Sequence, residues 1–278
     1  MTEYRWQQRA NRFKRLIQAG EPATAMWVTI PWPPVLEILG AHGLDSALID
    51  LEHATFGLDL VEPMLVSAEL AGITALVRPA SLDPSQVGRI LDAGAQGIVF
   101  PRVDDRADAE LAWKSLRYPP LGVRGWGGSH TRHAMWQGAA GVAALRGTTD
   151  SERGVYTREY VTKSSSDVVS VFLIESLRGV ENVEEILDVG KPDLVCFGWG
   201  DYSVEVDFDL PRCQAAATRV YDECRNRGIG VSVSVGQSAA EGFYPGCFTI
   251  VGIDSILMSE AFRTNIELAC AVDRRSVD

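Results

Sequence analysis

Several things are scarce or missing in this 278-residue chain, and each absence narrows what it can do. The five cysteines (Cys196, Cys213, Cys224, Cys247 and Cys270) contain no CxxC pair and are odd in number, so buried, reduced thiols in a reducing cytoplasm are the expectation. Basic residues are outnumbered, 26 against 37 acidic ones, for a formal charge of −11. Nucleic acid and anionic membranes need clustered Lys and Arg, so neither is expected as the main partner. No apolar run approaches the roughly 18 residues that span a bilayer. The N-terminus, MTEYRWQQRANRFKRL, lacks the apolar core of a signal peptide and reads as an amphipathic helix over about 4–19. No internal repeat is visible, and no GxGxxG follows the first strand-like run.

What is present is a recurring alternation of apolar β-type runs and helix-period segments. The runs are TAMWVTI (24–30), SALIDLEH (46–53), ITALVRP (73–79), QGIVFPRV (96–103), VVSVFLIES (168–176), DLVCFGW (193–199), GVSVSV (230–235) and TIVGIDSILM (249–258). Most are continuously apolar rather than alternating, as in a parallel sheet buried on both faces. Eight such units in this length favour a closed TIM-type (β/α)8 barrel in a single domain over an open doubly wound sheet. One long interruption, about 118–166, lies between the fourth helix and the fifth strand and reads as an insertion within the barrel. A C-terminal helix is expected over about 259–275.

Barrel active sites form at the C-terminal ends of the strands. Those positions hold Asp50, Glu52 and His53 after the second run, Arg78 after the third, Glu175 after the fifth and Asp201 after the sixth. Each alone is open to a blander role: Glu175 could pair with Arg178, Asp201 could cap a helix, and Arg78 could bridge to an acid of the second strand. Together they suggest chemistry. Glu175 and Asp201 form a carboxylate pair suited to a hard divalent cation. Arg78 carries a permanent charge suited to a carboxylate or an enolate oxygen, and His53 is the natural proton carrier. His130 and His133, in SHTRH, sit among glycines that favour a flexible loop over a metal clip. The glycines of RGWGG lack the lysine and strand context of a phosphate loop.

Over residues 11–263 the chain resembles the HpcH/HpaI class II aldolases, which act on 2-oxo acids. The resemblance rests on FKRLIQAG, LIDLEHA, LVRPA, DPSQVGRILDAGAQGIVFPRV, LRYPPLGVRG, LIES and GWGDYS, in that order. It implies a barrel that holds Mg²⁺, Mn²⁺ or Co²⁺ through Glu175 and Asp201. Such an enzyme cleaves 4-hydroxy-2-oxo acids to pyruvate, or a related 2-oxo acid, and an aldehyde, or runs the reverse condensation. The resemblance further implies that Arg78 steadies the keto or enolate oxygen, that His53 transfers a proton and that Asp92 orients it. It has the backbone of Gly200 and Asp201 receive the substrate carboxylate, with Asp50 and Glu52 as supports. It also implies a homo-oligomer, a hexamer. Leu173 stands where the family often has Gln, Trp199 where proline is usual, and the stretch 139–166 is longer than in compact members. A decarboxylase, a lyase acting on CoA thioesters and a non-catalytic metabolite-binding barrel are the alternative expectations. The CoA reading lacks an evident basic cluster, and the last lacks the loss of site residues it should bring.

Overall fold

The computed structural model describes residues 11–127, 164–235 and 247–275, with isolated positions between 131 and 162. Eight parallel strands, β1 (Ala23–Val28), β2 (Ser46–Asp50), β3 (Thr74–Arg78), β4 (Gly97–Phe100), β5 (Val169–Ile174), β6 (Leu194–Phe197), β7 (Gly230–Ser234) and β8 (Phe248–Ile253), pair in sequence order and close, β8 against β1. The expected (β/α)8 barrel is therefore the observed fold, and each of the eight apolar runs supplies one strand. The His130 and His133 pair and most of the 118–166 insertion lie outside the described residues. None of the five cysteines forms a disulfide; four are buried and Cys270 is exposed. Among the described residues, no helix is long and apolar enough to cross a membrane.

The continuous apolar character of the strands follows from two cores that share them. Ala25, Leu48, Leu76, Val99, Val171, Leu173, Leu194, Cys196 and Phe248 fill the barrel interior. Ile49, Val77, Ile98, Phe172 and Val195 point outward to meet the helices. Side chains alternate along each strand with a period of two, so both parities must be apolar when both faces are buried.

The helix Arg12–Ala19 closes the end of the barrel where the strands begin. Asn11 caps it, accepting the Lys14 amide at 3.0 Å, and donates its carboxamide to the carbonyls of Gln96 (2.8 Å) and Asp167 (3.0 Å). Phe13, fully buried, meets Phe248 edge-to-face at 5.5 Å. Residues 4–10 of the expected 4–19 helix fall outside the described residues.

The C-terminal helix runs Asp254–Arg275, beginning five residues before the expected 259, so the run 249–258 is strand for only its first half. Asp254 explains the early start. Its carboxylate accepts the amides of Thr29 (2.9 Å), Ile30 (3.0 Å) and Ser255 (2.8 Å) and the Thr29 hydroxyl (2.7 Å), which ties the end of β8 to the end of β1 and leaves Ile256, Leu257 and Met258 on the helix.

Phe13→Ala should remove a buried ring from the closed end and lower unfolding free energy by about 3–5 kcal/mol. Urea titration checks this, and a loss under about 1 kcal/mol would show that the helix is not integral to the barrel.

Candidate active site

Period-two alternation that fills the interior also aims the polar residues. Leu48 and Asp50, Leu76 and Arg78, Leu173 and Glu175, and Cys196 and Gly198 are successive inward positions on β2, β3, β5 and β6. The second of each pair stands at the C-terminal mouth. There the strand ends frame a cleft of about 830 Å³ lined by Asp50, His53, Arg78, Glu175 and Asp201.

Asp50 and Arg78 are register partners across β2 and β3. Their bond is bidentate, Nε to Oδ1 at 2.8 Å and Nη2 to Oδ2 at 2.6 Å, and both residues are buried. Burial alone pushes the Asp50 carboxyl up. The hydrogen bonds and charge of Arg78, with the amides of Glu52 and His53, outweigh it and hold the carboxyl below its usual range. For Arg78, burial works against the charge, but the bond to Asp50 and the charges of Asp50, Glu52 and Glu175 hold the guanidinium above its ordinary value. Its carbon lies 4.4 Å over the Trp27 ring, so a cation–π contact fixes the plane of the fork. Glu52 Oε2 approaches Arg78 Nη1 to 3.1 Å as an ion pair without hydrogen-bond alignment. Burial raises the Glu52 carboxyl despite the Arg78 charge.

Glu175 is buried just past the end of β5. Its Oε1 accepts the Arg102 amide at 2.8 Å. Arg102 has φ +47°, a left-handed conformation that costs an ordinary residue roughly 1–2 kcal/mol. Gly198 supplies the room: a Cβ there would lie 2.4 Å from Glu175 Cβ and 2.6 Å from Oε2. Burial pushes the Glu175 carboxyl up to about 8. The Arg102 amide opposes this, the charges of Glu52 and Asp201 reinforce it, and Arg78 offsets only part.

Asp201 lies in the first turn of the helix Trp199–Glu205, half-exposed. His53 Nε2 sits 3.9 Å from Asp201 Oδ2 and 4.0 Å from Glu52 Oε2. As N-terminal residues of their helix, Gly200 and Asp201 have backbone amides with no partner within it. Leu173 and Trp199 both line the cleft, and Trp199 meets Phe197 edge-to-face at 5.1 Å.

Asp92 lies apart from these residues within the chain. It ends the helix Pro84–Asp92, which returns the chain from the end of β3 to the start of β4 and so carries the residue away from the mouth. There Asp92 accepts from Arg124 Nη2 at 3.0 Å. Within one chain it does not meet His53. The resemblance assigned Asp92 a partner without showing at which end of the barrel it lies, and the helix direction decides that. Trp27, Gly198 and the Arg102 amide were missed. Trp27 stood visible in the first strand, whereas an amide and an absent side chain leave no mark in residue type.

Four carboxylates, those of Asp50, Glu52, Glu175 and Asp201, crowd one guanidinium at the mouth. Among the described residues no group of three or more His, Cys, Asp or Glu is arranged as a metal cage. Glu175 and Asp201 nevertheless fit a hard dication that takes the rest of its sphere from water or substrate, because such an ion would offset the burial, and the lesser repulsion of Glu52 and Asp201, that raise Glu175.

A closed (β/α)8 barrel with carboxylates, a clamped arginine and an imidazole at its C-terminal mouth has the layout of a barrel enzyme. The sequence profile of the HpcH/HpaI aldolase/citrate lyase family matches residues 23–261, and the chain belongs to that family. It is 29% identical to a hydroxypyruvate/pyruvate aldolase of Rhizorhabdus wittichii, across 94% of this chain and all of that protein. It is 28% identical to a 4-hydroxy-2-oxo-heptane-1,7-dioate aldolase of Escherichia coli, across 90% of this chain and 92% of the other. The crystal structure of an HpcH/HpaI aldolase/citrate lyase family protein from Burkholderia cenocepacia superposes with a TM-score of 0.78 at 25% identity, covering 93% and 99% of the two chains.

The raised Glu175 carboxyl has a signed consequence for the metal-free protein. Between the ordinary 4.5 and about 8 the folded state holds a proton that the unfolded chain has released. That contribution to stability is full below 4.5 and is lost as pH rises through about 8. Urea unfolding should show wild-type stability falling across this window more steeply than that of Glu175→Gln. Parallel profiles would refute the raised carboxyl.

Proposed function

We propose that the protein is a divalent-metal-dependent aldolase that cleaves or forms 4-hydroxy-2-oxo acids, with pyruvate or a close 2-oxo acid as one product. The observation that carries this reading is the buried Glu175 carboxylate, held by an amide beside Asp201 and facing an arginine clamped on its far side by Asp50. Family membership and relatives named for hydroxypyruvate/pyruvate and 4-hydroxy-2-oxo-heptane-1,7-dioate support a 2-oxo acid as substrate. Glu175 and Asp201 would hold Mg²⁺, Mn²⁺ or Co²⁺, which supplies a Lewis acid for the 2-oxo carbonyl.

The chain's own residues account for the remaining roles. Arg78, fixed in plane by Asp50 and Trp27, presents its charge to the keto oxygen as negative charge develops there. The amides of Gly200 and Asp201 receive the substrate carboxylate. His53, exposed at the rim, takes the proton of the 4-hydroxyl directly or through one water while the C3–C4 bond breaks. The bond's electron pair passes to the three-carbon fragment, and a returned proton completes its methyl group. The same steps reversed form the bond. A CoA-thioester lyase would need cations for nucleotide phosphates, and Arg78 is the one Lys or Arg among the described residues lining the cleft.

One observation supports a homo-oligomer. Phe262, Ile266 and Leu268 of the C-terminal helix are each more than half exposed, an apolar surface that another copy would cover. In that assembly Asp92 would orient His53 of a neighbouring copy, since one chain holds the two at opposite ends. A cytoplasmic enzyme forming a hexamer is the assembly proposed. Native mass spectrometry should give a single oligomer for the wild type and smaller species for Phe262→Asp; a monomeric wild type would refute it.

With Mg²⁺, Mn²⁺ or Co²⁺, the protein should exchange deuterium into the methyl group of pyruvate. Glu175→Ala and Asp201→Ala should each lower that rate on the order of 10²-fold or more. Absence of exchange with all three metals, with hydroxypyruvate and 2-oxobutyrate also inert, would sink the reading.

A further inference from the structure

The cleft is divided by polarity, and the division follows the order of the strands. Its charged side stands on β2, β3, β5 and β6, where Asp50, Arg78, Glu175 and Asp201 gather. The other side, formed by β8 and β1 with the start of the C-terminal helix, presents Ile250, Ile253, Ile256 and Trp27, while β7, between the two sides, presents Ser232 and Ser234. β8 and β1 are neighbours in the closed sheet, so this apolar wall is continuous. Two hydroxyls at its edges already have partners. Thr29 is bonded to Asp254 at 2.7 Å and to Ser255 at 2.9 Å, and Ser232 is bonded to Cys196.

The charged side is negative overall, and its cation is committed. Arg78 makes two bonds to Asp50 and a 3.1 Å ion pair to Glu52. Once a dication and one substrate carboxylate are placed there, nothing positive remains among the described lining residues for a second carboxylate. On the apolar side, Asp254 lies just behind the wall with four donors on its oxygens, a further negative charge. A carboxylate entering this half would lose its water, gain no cation and meet like charge.

We infer that the aldehyde used by this site is uncharged and apolar, lying against Trp27, Ile250, Ile253 and Ile256 while the 2-oxo acid occupies the carboxylate and arginine side. The inference rests on the aldolase reading and names the substrate class of its second half. In the condensation, the pyruvate methyl loses one proton and its carbon bonds to the aldehyde carbonyl carbon. The former carbonyl oxygen takes up one proton. One pyruvate and one aldehyde give one 4-hydroxy-2-oxo acid, with nothing oxidised or reduced.

The test compares aldehydes of equal length with the Mg²⁺- or Mn²⁺-loaded protein and pyruvate: butanal, uncharged, against succinic semialdehyde, which carries a terminal carboxylate. Butanal should give kcat/KM roughly 30-fold higher or more. Hexanal should exceed butanal by about fourfold per added methylene, the factor that burying each CH₂ provides. Ile256→Arg, which sets a cation at the edge of the wall, should narrow the butanal to succinic semialdehyde ratio by about tenfold. That readout is a ratio within one preparation, so partial loss of folded protein cancels. Pyruvate deuterium exchange is run alongside. Exchange with succinic semialdehyde used as well as butanal overturns the inference and leaves the aldolase reading standing. Neither exchange nor condensation overturns the aldolase reading, and this inference with it.

Discussion

The mouth is organised around the ion pair between Asp50 and Arg78. A buried pair of this kind stands on weak ground as a source of stability, because desolvating two charges offsets most of their attraction. Its value here is geometric. Two bonds fix the guanidinium against β2, the Trp27 ring fixes its plane, and the remaining edge is turned toward Glu52 and the cleft. Without Asp50, a long flexible side chain would face three other carboxylates and could fold onto any of them. The arginine is thus held away from Glu175 and Asp201, which are left to share a different positive charge.

A second constraint is the parity of a parallel barrel. Each strand offers one inward position at the mouth for every two residues, and the residues at those positions are Asp50, Arg78, Glu175 and Gly198. Three carry charge and the fourth is empty so that its neighbour fits. The helix Arg12–Ala19 at the opposite end and the Asp254 carboxylate at the β8–β1 seam keep the ring of strands closed, which keeps those positions facing one another.

Much of this was legible in the sequence. Runs such as LIDLEH and LVRPA announce both a strand and its last inward residue, because an apolar run that ends in acid or arginine has few structural reasons to do so. The eight runs therefore placed Asp50, Arg78, Glu175 and Asp201 near a common mouth. What failed to read had specific causes. The end of the barrel that Asp92 occupies could not be read, because its motif, ILDAG, fixes a residue on a helix without saying which end that helix reaches. The C-terminal helix begins early because Asp254 finds its partners 225 positions away, at Thr29, and no local pattern reports that. Trp27 looked like any aromatic in a core strand until the arginine lay across it.

The amide of Arg102 gives the hold on Glu175 an unusual permanence. A side-chain donor can be deleted by one substitution or silenced by a change of pH; a main-chain N–H is lost only to proline. Proline is barred here, since its ring fixes φ near −65° and this residue sits at +47°. The arginine side chain is meanwhile free to serve elsewhere, 3.6 Å from Glu205. Any residue that tolerates the left-handed backbone at position 102 would therefore hold the carboxylate equally well, whatever its side chain.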